Sequence, residues 1–134
     1  MMLGISEIFR RKLLMSWHFD DERPIYNQIV NRILTDVVTG VYKPNDRLPS
    51  VREFAADAGV NPNTMQKALV DLERTGVVYA RTTAGRFVTD DAELIEQVRK
   101  DMLKDEVSRY LQRCEKFGLD RIKAADMVIH FGEN

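Results

Sequence analysis

Residues 48–69 read LPSVREFAADAGVNPNTMQKAL, and this stretch decides the predicted fold. Ser50 and Glu53 have the spacing of a capping box, in which each side chain satisfies a backbone amide at the start of a helix. Gly59 ends that helix, and the Asn-Pro pair at 61–62 begins the next one as an N-cap and a first-turn proline. Two short helices joined by a tight turn are typical of a helix-turn-helix, whose second helix enters a DNA groove.

A further helix precedes this stretch. Pro24 opens it, since the missing amide hydrogen costs nothing at a helix start, and Gly40 ends it. Its apolar residues recur at helical spacing and form one buried face: Ile25, Ile29, Ile33, Leu34 and Val37.

A β-hairpin follows the two short helices. Residues 77–81 (VVYAR) form the first strand, residues 82–85 (TTAG) the turn and residues 86–89 (RFVT) the returning strand. Three helices and a hairpin in this order predict a winged helix-turn-helix. The fold class is therefore mainly α with a small β-hairpin.

The remaining chain is predicted to form two helices, the first long and the second short. Gly118 separates them, and Asp120 caps the second. Two helices cannot bury both apolar faces alone, so they pack on the winged helix or, as we expect, on a second copy of the chain. Apolar residues at helical spacing mark these faces: Leu94, Val98, Met102, Tyr110, Leu111, Cys114, Phe117, Ile122, Ala125 and Ile129.

The expected organisation has three parts. Residues 1–22 are an N-terminal extension, residues 23–90 the winged helix-turn-helix and residues 91–134 a helical dimerisation region. Within the extension, the apolar residues from Ile5 to Leu13 fit one or two amphipathic turns, and the aromatics at 17–19 (WHF) are expected to form a plug against the body. A partly mobile segment and a dimer contact are the alternatives.

Composition restricts the class of protein. No apolar run approaches the roughly 18 residues of a membrane span, and one cysteine suits a reducing cytoplasm. The net charge of −1 is unusual for a nucleic-acid binder. However, residues 23–90 carry nine Lys and Arg against seven Asp and Glu, whereas residues 91–134 carry eight against ten. A weakly basic module with its cations on one face can bind DNA in a salt-sensitive way.

Three motifs in order resemble the GntR family of bacterial transcription regulators. They are PIYNQI at 24–29, GVYKPNDRLPSVREFA at 40–55 and VNPNTMQKALVDLERTG at 60–76. The resemblance covers about half of the chain and implies a sequence-specific regulator that is not an enzyme. The wing departs from the family pattern at Thr83, where glycine is usual, and at Arg86, where threonine is usual.

The short two-helix tail resembles the YtrA-type subfamily. This resemblance implies a homodimer, formed through residues 91–134, that binds double-stranded DNA at a palindromic operator. It also implies repression of a small operon, often one that encodes a transporter. A winged-helix module that binds proteins, and a regulator gated by an unknown small molecule at the dimer interface, are the alternatives.

The candidate DNA-binding residues lie on the two short helices and the wing. Arg52 is expected to grip DNA at the groove edge, since a cation at a helix amino end is unfavourable without another role; a salt bridge to Asp46 or Glu53 is the alternative. Asn63 and Gln66 are expected to read bases. The other candidates serve capping or phosphate contacts: Asn61, Thr64, Lys67, Arg81, Thr82 and Arg86.

Catalytic and metal motifs are weak. The two histidines, His18 and His130, lie at opposite ends of the chain, and no metal-ligand or phosphate-loop motif occurs. A metal site at His130 with Glu133 or Asp126 is a minor alternative, and no cofactor is expected. Gln28 is a further candidate for a phosphate contact.

Overall fold

The computed structural model describes residues 16–133. The amphipathic turns expected between Ile5 and Leu13 lie outside the described residues. Within 16–133 the elements follow the predicted order: α1 (Ile25–Val38), α2 (Val51–Ala58), α3 (Pro62–Glu73), β1 (Val78–Arg81), β2 (Gly85–Val88), α4 (Ala92–Lys116) and α5 (Arg121–Ile129). Contacts divide the chain into two compact units, one up to Ile95 and the other from Glu96. No helix in the described part of the chain is long and apolar enough to cross a membrane.

The helix boundaries confirm most of the predicted caps. Ser50 and Glu53 form both hydrogen bonds of the capping box on α2, and the Asn61 side chain caps α3. Pro24 is the N-cap of α1 and not its first helical residue, a shift of one position from the prediction. Gly59 ends α2 at φ +68°, a left-handed conformation that glycine adopts without a Cβ penalty.

The hairpin is antiparallel, and an extended segment of the chain lies beside its second strand. Val78 pairs with Val88 and Arg81 with Gly85, so the strands begin one residue later and one residue earlier than predicted. Residues 45–48 run beside β2, because Leu48 N donates to Arg86 O at 2.9 Å and Val88 N donates to Asp46 O at 2.9 Å. This connection ties the turn before α2 to the wing.

The core of the first unit lies between α1, α3 and the hairpin. Phe54 joins it from α2. Burying side chains of this size contributes about 1.5–3 kcal/mol each. The core therefore fixes the orientation of α3 on the domain. The largest fully buried side chains are Phe54, Ile29, Ile33, Met65, Leu69, Leu72, Val77, Val78 and Val88.

Residues 16–24 form a strap on the first unit, with the aromatic plug as predicted. The Trp17 ring stacks on Phe19 at 5.9 Å and meets Phe54 edge-on at 6.1 Å. The buried Gln28 amide accepts from Asp20 N and donates to the carbonyls of Asp20 and Arg23. Gln28 is thereby committed to holding the strap, so the phosphate contact considered for it has no support.

A buried ion pair lies beneath the strap. Arg32 Nε donates to Asp36 Oδ2 at 2.9 Å, and its guanidinium lies 4.7 Å from the Trp17 ring centroid. Burial raises the pKa of Asp36, although the Arg32 hydrogen bond and charge oppose the rise. Burial and the nearby Asp36 raise the pKa of Tyr42 to about 12.

The second unit contains α5 and most of α4. The Tyr110 hydroxyl donates to Ala124 O at 2.7 Å, and Ala124 and Cys114 are buried between the helices. Several large apolar side chains of this unit remain exposed, with Phe117 at 87% and Ile122 at 81%. The exposure of Ile122 and Ile129 agrees with the expectation that two tail helices cannot bury both apolar faces within one chain.

Candidate nucleic-acid interface

The outer face of α3 presents a compact group of side chains. At about 100° per residue, Asn63, Gln66, Lys67 and Val70 fall within an arc of about 100°. All four are exposed, whereas the opposite side of the helix is buried in the core. The core thus forces this face outward, and three of its four members are candidates from the sequence.

Asn63 and Gln66 leave their side-chain amides free. Within residues 16–133, neither amide has a protein hydrogen-bond partner. An exposed carboxamide presents a donor and an acceptor side by side, which matches the N6 and N7 edge of adenine. The two residues are therefore suited to base contacts on chemical grounds.

Asn61 is committed to capping. Its Oδ1 accepts from Asn63 N at 2.8 Å, which satisfies one of the free amides at the start of α3. Thr64 lies at the flank of the exposed face and is half-buried, so its hydroxyl is closer to the body than Asn63 is. This position suits a contact between Thr64 and a DNA phosphate better than a contact with a base.

Lys67 has a defined partner. Its Nζ lies 4.0 Å from the centroid of the Tyr26 ring, which reaches across from the first turn of α1. The carboxylate one turn ahead on α3, Asp71, is instead paired with Arg74 at 3.1 Å. The ammonium is therefore oriented by a ring without being neutralised by an acid.

Arg52 stands exposed in the first turn of α2. Its two alternative partners are engaged elsewhere: Glu53 accepts from Ser50 N in the capping box, and Asp46 accepts from Lys43 N at 2.8 Å. In the described part of the chain, Arg52 makes no ion pair. A free cation at a helix amino end is unfavourable, so an incoming anion would relieve this position.

The wing separates its two arginines. Arg81 projects outward, with its guanidinium 4.9 Å from the Phe87 centroid and 5.7 Å from that of Tyr79. Arg86 points to the opposite face of the hairpin. It is next to Phe87 in β2, and neighbours along a strand alternate between faces. Its Nε donates to Glu73 Oε1 at 2.6 Å, with both side chains largely covered. Thr82 is exposed in the turn between the strands.

Two residues on these surfaces were missed by the sequence reasoning. Val70 lies on the outer face of α3, and an aliphatic group there suits a thymine methyl. Arg47 lies beside the wing, with its Nε 3.0 Å from the position that a Cβ would take on Gly85. Its place in the motif at 40–55 was a signal, but its position over the wing follows only from the pairing of residues 45–48 with β2.

In the group considered for a metal site, the two carboxylates contact the His130 ring. His130 Nδ1 lies 2.8 Å from Glu133 and its Nε2 lies 3.5 Å from Asp126. The two carboxylates lie against different ring nitrogens, so they do not converge on one point with a single imidazole nitrogen. Among residues 16–133, no cluster of three suitable ligands could hold a metal ion.

Comparisons with known proteins agree with this architecture. Residues 25–88 match the model of the gntR family of bacterial regulatory proteins. The HTH-type transcriptional regulator YhcF of Bacillus subtilis is 31% identical over 119 residues, which cover 89% of this chain and 98% of YhcF. The HTH-type transcriptional repressor YtrA of B. subtilis is 30% identical over 106 residues, which cover 78% of this chain and 82% of YtrA.

Solved structures give the same result. A GntR family transcriptional regulator from Listeria monocytogenes is 40% identical, with a TM-score of 0.74 over 83% of this chain and 97% of that chain. AraR(DBD) in complex with operator ORX1 is 27% identical, with a TM-score of 0.50 over 54% of this chain and 93% of that chain. These relatives are transcription regulators and not enzymes. The chain is therefore a DNA-binding transcription regulator that belongs to the GntR family.

Proposed function

We propose that this chain binds a palindromic operator as a homodimer and represses a small operon, acting in the cytoplasm beside the bacterial chromosome. The observation that carries the proposal is the free Arg52 guanidinium on the same helix-turn-helix as the free amides of Asn63 and Gln66. Other polar groups of the unit are committed within the chain: Arg32, Arg74 and Arg86 form ion pairs, and the Gln28 amide holds the strap. Groups left free on one motif support recognition of a ligand from outside the chain.

The proposed roles follow from the chemistry of each group. Asn63 and Gln66 read bases in the major groove, and Val70 contacts a thymine methyl. Arg52, Thr64 and Lys67 contact phosphates, which position the protein without specifying sequence. Arg81 and Thr82 carry the wing contacts, and Arg47 adds a cation beside them. Arg86 is left out of the proposed contacts, because its charge is paired with Glu73.

The exposed apolar face of the second unit supports the homodimer. Phe117, Ile122 and Ile129 are 87%, 81% and 73% exposed. Monomeric proteins rarely leave so much apolar surface in contact with water, and such patches mark interaction sites. An open cavity of 780 Å³ lies between α4 and α5, with Val107, Leu111 and Leu119 among its lining residues. A second copy that packs its own α5 against this face would cover both, and this is the arrangement we propose.

The repressor activity rests on similarity alone. YtrA of B. subtilis is a repressor, and the present chain covers most of its length. Occupying an operator blocks polymerase without any further activity, so DNA binding and dimerisation suffice. A ligand-gated form of this function would place a small-molecule effector at the dimer interface.

Selection of random duplexes on the wild-type protein would test the proposal. The selected duplex is compared with a scrambled duplex by fluorescence anisotropy. We expect an inverted repeat and a specific affinity that falls steeply with salt. An enriched sequence without two-fold symmetry would contradict the dimer, and equal binding to both duplexes would contradict specificity.

A further inference from the structure

The pairing of Tyr26 with Lys67 joins the start of α1 to the exposed face of α3. The Lys67 ammonium lies 4.0 Å from the ring centroid, well within the distance at which a cation is attracted to an aromatic face. Tyr26 is half-buried, so the packing of α1 fixes its ring, whereas Lys67 is exposed on α3. A fixed ring therefore restrains the end of a long, flexible side chain.

The identity of the partner matters for what Lys67 can do. A carboxylate would hold the ammonium and also cancel its charge, and the carboxylate available at the i+4 position, Asp71, is paired with Arg74. An aromatic face holds the ammonium and leaves its charge and its outward N–H groups available. Lys67 is consequently held in place and still able to bind an anion.

The position of Lys67 on α3 indicates which anion it would meet. Asn63 and Gln66 lie on the same arc of the helix, so a groove that receives those amides brings its phosphate edge toward the flanks of that arc. A free lysine side chain loses most of its rotamer freedom when it contacts a phosphate. A lysine that is already ordered loses less, and this lowers the cost of binding.

We propose that Tyr26 is a positioning residue for DNA binding: its ring orders the Lys67 ammonium for contact with an operator phosphate. This inference rests on the proposed DNA-binding function and adds a residue outside the helix-turn-helix to it. The ring face carries the role, and the Tyr26 hydroxyl does not. Tyr26→Phe keeps the ring face, and Tyr26→Leu removes it.

A double-mutant cycle tests the proposal on the full chain with the duplex selected on the wild-type protein. The variants are Tyr26→Leu, Tyr26→Phe, Lys67→Gln and the Tyr26→Leu/Lys67→Gln double variant. Lys100→Gln is the matched control, since it makes the same substitution at an exposed lysine of the second unit. Affinity is measured by anisotropy at several salt concentrations, and the circular dichroism of each variant confirms folding.

We expect Tyr26→Leu to weaken binding by about two- to five-fold for each half-site, and Tyr26→Phe to bind like the wild type. Lys67→Gln should reduce the slope of log K against log salt by about 0.9 for each lost phosphate contact. Tyr26→Leu should shift the slope in the same direction. In the Lys67→Gln background, Tyr26→Leu should have no further effect, because there is no ammonium left to position.

Several results would overturn the proposal. Wild-type affinity in Tyr26→Leu would remove any role for the ring, and equal losses in both backgrounds would make Tyr26 a packing residue. A loss in Tyr26→Phe as large as that in Tyr26→Leu would assign the effect to the hydroxyl. Failure of the wild type to distinguish selected from scrambled DNA would overturn the DNA-binding function itself, whereas specific binding with unchanged Tyr26→Leu would overturn the positioning role alone.

Discussion

At the scale of single residues, arginines that look alike in the sequence have different surroundings. Arg52 is exposed and without an ion pair in the described chain, whereas Arg86 is bound to Glu73 at 2.6 Å with 18% of its side chain exposed. Strand alternation decides the case of Arg86, since the register of the hairpin turns it toward α3. The hairpin predicted from the sequence is displaced by one residue. It cannot determine the face on which Arg86 lies, because a shift by one residue exchanges the two faces.

Arg86→Gln should therefore act on stability. Removing the guanidinium leaves Glu73 partly buried without its partner, and we expect the free energy of unfolding to fall by about 1 kcal/mol. Urea unfolding followed by circular dichroism measures the change. Operator affinity should change less than in Arg52→Ala at a temperature where both variants are folded. A large loss of operator affinity with unchanged stability would contradict this role and indicate that Arg86 contacts DNA.

Tyr42 gives a pH dependence of known sign. Its pKa is raised to about 12 by burial first and by the Asp36 charge next. Above pH 10 the unfolded chain loses this phenolic proton while the folded chain keeps it, so folding stability should fall as the pH rises from about 10 to 12. Tyr42→Phe should flatten this fall in urea unfolding across that range. Tyr79→Phe, which removes a hydroxyl from the hairpin, is the control and should leave the fall in place.

At the scale of elements, the sequence predicts starts and stops better than it predicts contacts. Ser50 with Glu53, Asn61 and Gly59 act over a few residues, so their geometry follows from spacing alone, and the structure confirms them. Contacts between elements depend on the assembled core. The Tyr26 ring meets Lys67 only because α1 packs against α3, and spacing along the chain does not predict this.

Ser50→Ala should show how much the capping box contributes. The change removes the hydroxyl that accepts from Glu53 N at 3.1 Å, and we expect a loss of about 1 kcal/mol in the free energy of unfolding. The midpoint of thermal or urea unfolding measures it. Thr83→Ala, which removes an exposed hydroxyl with no hydrogen bond in the described part of the chain, is the control and should have little effect. Equal values for the two variants would contradict the role of the capping box.

At the scale of the whole molecule, the second unit exposes an apolar face that nothing within the described chain buries. Length and pattern indicated correctly that two tail helices could not bury their apolar residues alone. The sequence did not indicate which residues remain outside. The structure leaves Ile122 and Ile129 exposed and buries the small Ala124 instead.

Ile122→Asp/Ile129→Asp should convert the proposed homodimer to a monomer, because each change places a charge where the second copy packs. Light scattering coupled to size-exclusion chromatography measures the molar mass. Val41→Asp, at an exposed apolar position in the first unit, is the control and should leave the mass at that of the dimer. A wild-type mass of one chain, or a double variant with the mass of a dimer, would contradict this interface.

The most direct test of the account is the affinity of Arg52→Ala for the selected operator, measured by fluorescence anisotropy beside the wild type. Lost phosphate contacts in both half-sites should weaken binding by at least about ten-fold and reduce the salt slope by about 0.9 for each contact, with folding and molar mass unchanged. Arg99→Ala, which removes a cation paired with Glu96 in the second unit, should bind like the wild type. Wild-type affinity in Arg52→Ala, in a folded protein, would contradict the claim that this helix-turn-helix grips DNA through Arg52.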